Sequence, residues 1–212
     1  ADSQGNLIEW NSAAEHISGL KRSDVIGQPL WEIIFCMLPK EQKTSVLREA
    51  LTAQWNAVIK SKYTNDLDQM SEMEIETPQG MRRIVQTNGF AIETTQGTQA
   101  GAIMRDITER KQAEAELRKL SQAVKQSANA IVITDVEGNI EFANPKFFEV
   151  SGYSLPEALG QNPRILRSGE HGSEFYKTLW NTIKSGRVWR GELHNRRKDG
   201  RLYWEDSTIT PV

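Results

Sequence analysis

From Ser173 the apolar residues Phe175, Tyr176, Leu179, Trp180 and Ile183 recur every three or four positions, the period of a helix with one buried face. Ser173 is placed to cap that helix and Gly186 to end it. Beyond Gly186 the pattern predicts two strands, Val188 to Arg197 and Leu202 to Val212, joined at Asp199 and Gly200. A similar succession stands earlier in the chain: a helix from about Glu41 to Lys60, a strand around Met73 to Thr77, a turn at Pro78 to Gly80, then strands from Arg82 to Phe90 and Ala100 to Met104. Ahead of the later succession, Ala130 to Thr134 and Ile140 to Ala143 predict a hairpin about Glu137, Gly138 and Asn139. The order of strand, strand, short helices, longer helix and three strands predicts an α+β fold, with an antiparallel sheet carrying its helices on one face.

The chain repeats itself. At a shift of 133, Asp2/Asp135, Gly5/Gly138, Asn6/Asn139, Asn11/Asn144, Ser18/Ser151, Gly19/Gly152, Gly27/Gly160 and Gln28/Gln161 are identical, eight matches in 28 positions without a gap. So long a period suits two related domains rather than a solenoid. The glycines read as turns that need positive φ. The first copy starts at the turn, without a counterpart of Ile131 to Ile133, and the second stops before a counterpart of Ala100 to Met104, so both are expected to be clipped.

Between the copies, Asp106 to Glu109 reads as a capping box, after which Lys, Gln, Ala, Glu and Leu predominate. Leu117, Leu120 and Val124 form a narrow apolar stripe and Glu114 precedes Arg118 by four, a pattern that suits the seam of a dimeric coiled coil. The expected division is 1–105 for the first domain, 106–128 for a helical linker and 129–212 for the second domain.

Composition narrows the function. With 26 Lys and Arg against 28 Asp and Glu, the formal charge of −2 lacks the basic excess of a nucleic-acid binder. The single cysteine, Cys36, excludes an internal disulfide, and its apolar neighbours predict a buried, inert thiol. A cytoplasmic location is the default. The longest apolar run, Trp31 to Leu38, is broken by Glu32 and falls far short of the roughly 20 residues that cross a bilayer, so no membrane contact is expected of this segment. The chain begins at Ala1 and is read as a segment of something longer. No phosphate-cradling loop, nucleophile elbow, kinase phosphoacceptor box or cyclase signature occurs, so the segment is expected not to be an enzyme; any catalysis belongs to an output domain of the same parent chain.

Gly138-Asn139, Asn144, Ser151-Gly152-Tyr153, Leu159-Gly160-Gln161, Arg197 to Gly200 and Asp106 to Arg110 together resemble the PAS domain family, in two tandem copies covering nearly the whole chain. The resemblance implies, for each copy, a five-stranded antiparallel sheet whose helical flank encloses a cavity, used in bacterial sensors to bind a small ligand and to signal through the exit helix. The second copy is similar to the flavin-contact segment of LOV photosensors from Gly160 to Leu166, and from Glu141 to Val212 to the FAD-binding PAS domains of redox sensors such as NifL and MmoS. By that resemblance Asn162, Trp180 and Asn195 face a flavin, FAD or FMN, and Arg164 lies near its phosphate. Pro163 stands where LOV domains carry the cysteine that attacks flavin, which excludes adduct photochemistry.

The residue chemistry is compatible. Ile165, Leu166, Leu193, Tyr203 and Ile209 offer an apolar slot, and the Asn195 amide both donates and accepts. Plain readings stand beside these: Trp180 as a core residue, Asn162 as a turn residue. A two-residue turn at Asp199-Gly200 sets Asn195 opposite Trp204, and an odd loop sets it opposite Glu205, the register the LOV resemblance favours. An inward Glu205 needs a partner or a proton. In the first copy Ile75 replaces Asn195 and Pro29-Leu30-Trp31 replaces Asn162-Pro163-Arg164, so no flavin is expected there.

A haem sensor is the main rival, yet its axial histidine has no candidate on either longer helix; His16, His171 and His194 read as surface or hydrogen-bonding residues. Arg196 to Lys198 reads as a solvated turn. Two main functions remain: a redox-sensing flavoprotein input module passing its state to a kinase or cyclase, as in two-component systems, and a cofactor-free homodimerisation and relay module.

Overall fold

In the computed structural model, which describes residues 1–60, 70–95 and 97–211, the chain divides into two units, Ala1–Ala115 and Glu116–Val212. The first unit opens with short helices α1 (Ser12–Ser18), α2 (Arg22–Val25) and α3 (Leu30–Met37), a 3-10 turn at Lys40–Gln42, and the longer α4 (Ser45–Lys60). Strands β1 (Met70–Glu76), β2 (Arg82–Thr94) and β3 (Gly97–Asp106) follow as an antiparallel sheet of that order. Its core joins helices to sheet: Leu7, Val25, Ile33, Met37, Ile75 and Val85, with Met73 and Met104 against them. Helix α5 (Thr108–Lys125) leaves β3.

The second unit holds the hairpin β4 (Val132–Thr134) and β5 (Ile140–Ala143), helices α6 (Pro145–Ser151) and α7 (Leu155–Ala158), and a 3-10 turn at Pro163–Leu166. Helix α8 (Ser173–Lys184) and the hairpin β6 (Trp189–Arg196) and β7 (Leu202–Ile209) complete it. Its buried cluster is Ile140, Ala143, Phe147, Ala158 and Leu166.

The repeat is structural as well as textual. Asp2 and Asp135 take part in the same turn: Asp2 Oδ1 accepts from Asn6 N at 2.9 Å and Asp135 Oδ1 from Asn139 N at 2.7 Å. Gly5 and Gly138 cross those turns at φ 86° and 85°, as only glycine does readily. Asn11 caps α1 and Asn144 caps α6, while Gly19 and Gly152 close the same helices in the left-handed region. Leu7 N donates to Gln28 O and Ile140 N to Gln161 O, at 2.9 and 2.8 Å.

Several local expectations change. The helix expected from Glu41 is interrupted at Lys43 and Thr44, and α4 starts at Ser45. Gly172, not Ser173, is the N-cap of α8, without a side-chain bond. Strand β7 ends at Ile209, since Pro211 has no N–H to give a ladder, and Val212 lies outside the described residues. Asp106 accepts from Thr108 N and Oγ1, at 2.9 and 2.5 Å, rather than closing a reciprocal box with Glu109. Where a five-stranded sheet was expected of each copy, the described residues form one three-stranded ladder in the first unit and two separate two-stranded ladders in the second. Leu7 to Trp10, the counterpart of β5, forms no strand, and none lies beside it among the described residues.

Candidate ligand-binding site

The two later hairpins share one register. Ile75 pairs with Arg83 and Met73 with Val85 in the first unit; Asn195 pairs with Tyr203 and Leu193 with Glu205 in the second. Both close through the same three-residue loop, Thr77 N to Met81 O and Arg197 N to Arg201 O, each at 2.9 Å. Asn195 therefore lies opposite Tyr203, not Trp204 or Glu205 as the two turn readings had it. The odd loop still leaves Glu205 on the same face, one pair along.

This alignment sets Ile75 against Asn195 and Val85 against Glu205. Ile75 and Val85 are 0% exposed and belong to the first unit's core. In their places the second unit has an amide and a carboxylate: Asn195 is 6% exposed, and its Nδ2 donates to Glu205 Oε2 at 3.0 Å. Burial pushes the Glu205 carboxyl up, and the bond from Asn195 opposes the shift. Burial, with the Glu205 charge beside it, pushes the Tyr203 phenol up to about 12. The buried cluster of the second unit includes no residue of β6 or β7, whereas that of the first includes Ile75 and Val85. Leu193, Tyr203, Glu205 and Ile209 are half-buried on the inward face.

Asn162 and Trp180 meet at Gly138. Asn162 Nδ2 donates to Gly138 O at 2.9 Å and its Oδ1 accepts from Arg164 N at 3.1 Å, capping the 3-10 turn. A Cβ on Gly138 would come within 2.9 Å of that Nδ2 and 3.2 Å of the Trp180 ring. The corresponding Gly5 is closed over by apolar groups, Ile59 of α4 and the Trp31 ring, at 2.7 and 2.8 Å from the same hypothetical atom. Thus the first unit seals this corner with carbon where the second presents an amide. Gly138, read from sequence only as a turn former, is also the surface against which these two side chains close.

Other expected residues fall differently. The Arg164 side chain is exposed. Leu166 and Ile165 are spent in the core cluster and do not extend the slot. Cys36 is exposed, because Ile33 and Met37 take the inward stripe of α3. The Arg196 to Lys198 tip is docked rather than simply solvated: Arg197 Nη2 donates to Glu149 O at 3.0 Å, Lys198 N to Ser151 O at 2.9 Å, and Lys198 Nζ pairs with Glu157. That ammonium and two bonds from Ser154 hold the Glu157 carboxyl down at about 2. His16 lies in the last turn of α1 at the surface, His171 precedes α8, and His194 lies in β6. Among the described residues no group of three metal-ligating side chains occurs, and no helix is long and apolar enough to cross a membrane.

The exit from the first unit is pinned by three contacts. Ile84 N donates to Thr108 Oγ1 at 2.9 Å, Ile107 N to Ile84 O at 2.9 Å, and Arg83 Nη1 to Asp106 Oδ2 at 3.3 Å. Burial pushes Asp106 up, but the Thr108 bonds and the Arg83 charge together outweigh it and leave its carboxyl below the usual range. Farther along α5, Leu117 and Leu120 are 68% and 56% exposed, with Val124 half-buried. Asn144, fully buried, takes hold of the other end of α5: its Nδ2 donates to Val124 O at 3.0 Å and Asn129 O at 2.9 Å, while Oδ1 accepts from Ile131 N and Phe147 N.

Comparison with known proteins agrees with this architecture. Residues 1–109 match a family model described as PAS domain, and residues 118–212 one described as PAS fold. A nitrogen fixation regulatory protein of Klebsiella oxytoca is 47% identical over 89 residues, which cover 42% of this chain and 18% of that protein. The aerotaxis receptor of Escherichia coli K12 is 37% identical over 79 residues, covering 37% of this chain and 16% of the receptor. A crystal structure of the PAS domain of a Colwellia psychrerythraea protein matches with TM-score 0.40 and 27% identity, over 46% of this chain and 82% of that one.

Proposed function

Since the chain belongs to the PAS family of sensory domains, with two copies in tandem, we propose that it is the sensory input part of a bacterial signalling protein whose second copy holds a flavin and reads redox state. The observation that carries this reading is the exchange of Ile75 and Val85 for Asn195 and Glu205 at equivalent inward positions of the two hairpins, Asn195 buried and Glu205 half-buried. A polar pair on an inward face costs stability unless something there uses it, and a ring with an imide edge does. FAD is the first candidate and FMN the second.

The donor set fits. Asn195 offers both a donor and an acceptor to the imide edge, Trp180 a ring to pack on, Asn162 a further amide and exposed Arg164 a charge-assisted donor to phosphate. Bound there, a flavin supplies reversible uptake of electrons with protons. Asn195 is the residue that responds: its Nδ2 rests on Glu205, and rotating the amide exchanges donor for acceptor toward the ring. Glu205, its carboxyl raised by burial, can hold or release a proton beside that amide. A shift of β6 then reaches the helices, and an output domain of the parent protein, a kinase or cyclase, carries out the response.

A second reading rests on α5. Its exposed Leu117 and Leu120 continue to Val124 at coiled-coil spacing, which supports a homodimer formed through this helix, with or without cofactor, in the cytoplasm. The test is the absorption spectrum of the purified chain, before and after incubation with FAD and FMN. Bands near about 375 and 450 nm that are retained after gel filtration and lost in Asn195→Ala support the flavin reading. Their absence after add-back leaves the dimer relay.

A further inference from the structure

Strand β6 is the edge of its two-stranded ladder, and an open edge leaves peptide groups in want of partners. Here the segment between the 3-10 turn and α8 supplies them. Arg167 bridges Asn195, Arg196 Nη2 donates to Arg167 O at 3.2 Å, and Ser168 Oγ donates to His194 O. On the same edge, His194 N–H donates to His171 Nε2 at 2.8 Å. The His171 ring lies flat on Phe175 of α8, centroids 4.0 Å apart, and edge-on to Trp204 of β7, on which His194 is stacked at 4.4 Å.

We propose that His171 is a pH-sensitive clamp: in its neutral Nδ1–H tautomer it fastens residues 167–172 to the edge of β6 and so positions Asn195, and a proton taken up at Nε2 releases them. The geometry requires the tautomer, because a ring nitrogen accepts only while it carries no proton. It also sets the sign: the clamp is closed while Nε2 is bare and opens when Nε2 takes up a proton, the direction of falling pH. Of the titratable and charged groups around it, Arg167, 3.8 Å over the Tyr176 ring that meets His171 edge-on, opposes a positive charge on the ring, Glu170, its chain neighbour, favours one, and His194 shares the Trp204 ring. The segment joins Asn162 to the helix of Trp180, so release loosens both sides of the proposed ligand site. The clamp itself does not depend on a flavin; its effect on ligand grip rests on the flavin reading above.

The test is amide exchange by NMR on the whole chain, with ring-nitrogen couplings to identify the His171 tautomer, at about pH 8 and pH 5.5. The expected result is Nε2 without a proton at the higher pH, and a loss of His194 amide protection of about tenfold at the lower pH relative to Val85. His171→Gln, whose carbonyl accepts without titrating, keeps protection at both; His171→Phe, which keeps the stack on Phe175, has it at neither. A protonated Nε2 at pH 8, or equal His194 protection in wild type and His171→Phe, overturns the clamp. Where FAD binds, its dissociation constant rises at low pH in wild type and not in His171→Gln; equal pH dependence in both overturns the effect on grip. The expected exchange pattern in a chain that takes up no flavin sustains the clamp and counts against the flavin reading instead.

Discussion

Asn11 and Asn144 are the same residue in the two copies, and replacing each by alanine yields very different losses. Asn11 is exposed and its side chain makes one bond as a helix cap, to Ala14 N at 2.9 Å. Its removal costs about 1 kcal/mol, the usual value of such a cap. Asn144 is fully buried and uses both ends of its amide, tying Val124, Asn129, Ile131 and Phe147 into one knot. Alanine there loses the cap, opens a small void, and takes the partner from Asn129 O and from Ile131 N–H, while Val124 O keeps its bond from Ser127 N. Adding about 1 kcal/mol for the cap to about 1–2 for each stranded group gives about 3–5 kcal/mol. For units of this size that is a fall of about 15–30 °C in the melting of the second unit, against about 5 °C in the first for Asn11→Ala. Calorimetry of the full chain resolves the two, and hydrogen exchange localises the second: amides at the end of α5, around Val124 to Gln126, lose protection only in Asn144→Ala. Equal losses for the two variants would show that capping alone accounts for Asn144 and would refute the knot.

Three further outcomes follow from particular contacts. Glu157 is held down at about 2 from an ordinary 4.5, so its contribution to stability is complete above 4.5 and disappears as pH falls toward 2. Glu157→Gln removes that part of the acid dependence, measurable by urea melts between those pH values. Glu205 has the opposite sign: its folded carboxyl is raised above 4.5, so wild type loses stability as pH rises through and beyond that value. Glu205→Gln, which still accepts from Asn195, is the more stable chain at pH 8, and a less stable variant would contradict the burial argument. Replacing Leu117 and Leu120 by serine leaves the melting of both units within about 0.5 kcal/mol, since both side chains are exposed, but shifts sedimentation toward monomer. An unchanged sedimentation profile would exclude α5 as the dimer seam.

The internal repeat made the architecture legible in the sequence, because its identities are turn and cap residues whose backbone demands are local. Asp2, Gly5 and Asn6 say the same thing about their turn as Asp135, Gly138 and Asn139, whatever lies around them. The strands of β6 and β7 were legible for a similar reason, but their register was not. It depends on where the loop closes, and Arg197 to Arg201 closes one residue earlier than the assumed odd loop. That step changed the partner of Asn195 to Tyr203 while preserving its face, so Glu205 remained within reach. Features made by distant segments left no local trace: the docking of Arg197 and Lys198 on α6 and α7, the closure of Trp180 on Gly138, and the bond from His194 to His171. Cys36 went wrong on a simpler point. Apolar neighbours in sequence do not bury a helical residue that sits off the Ile33 and Met37 stripe.

The central claim is that one copy is a ligand site and the other a filled core, and flavin stoichiometry tests it most directly. The chain is saturated with FAD, freed of excess, and its flavin is counted per polypeptide after denaturation. The account predicts one flavin per chain in wild type and in a first-unit variant, Trp31→Phe, and none in Asn195→Ala. Two flavins per chain, or one that survives Asn195→Ala and is lost in Trp31→Phe, would contradict it.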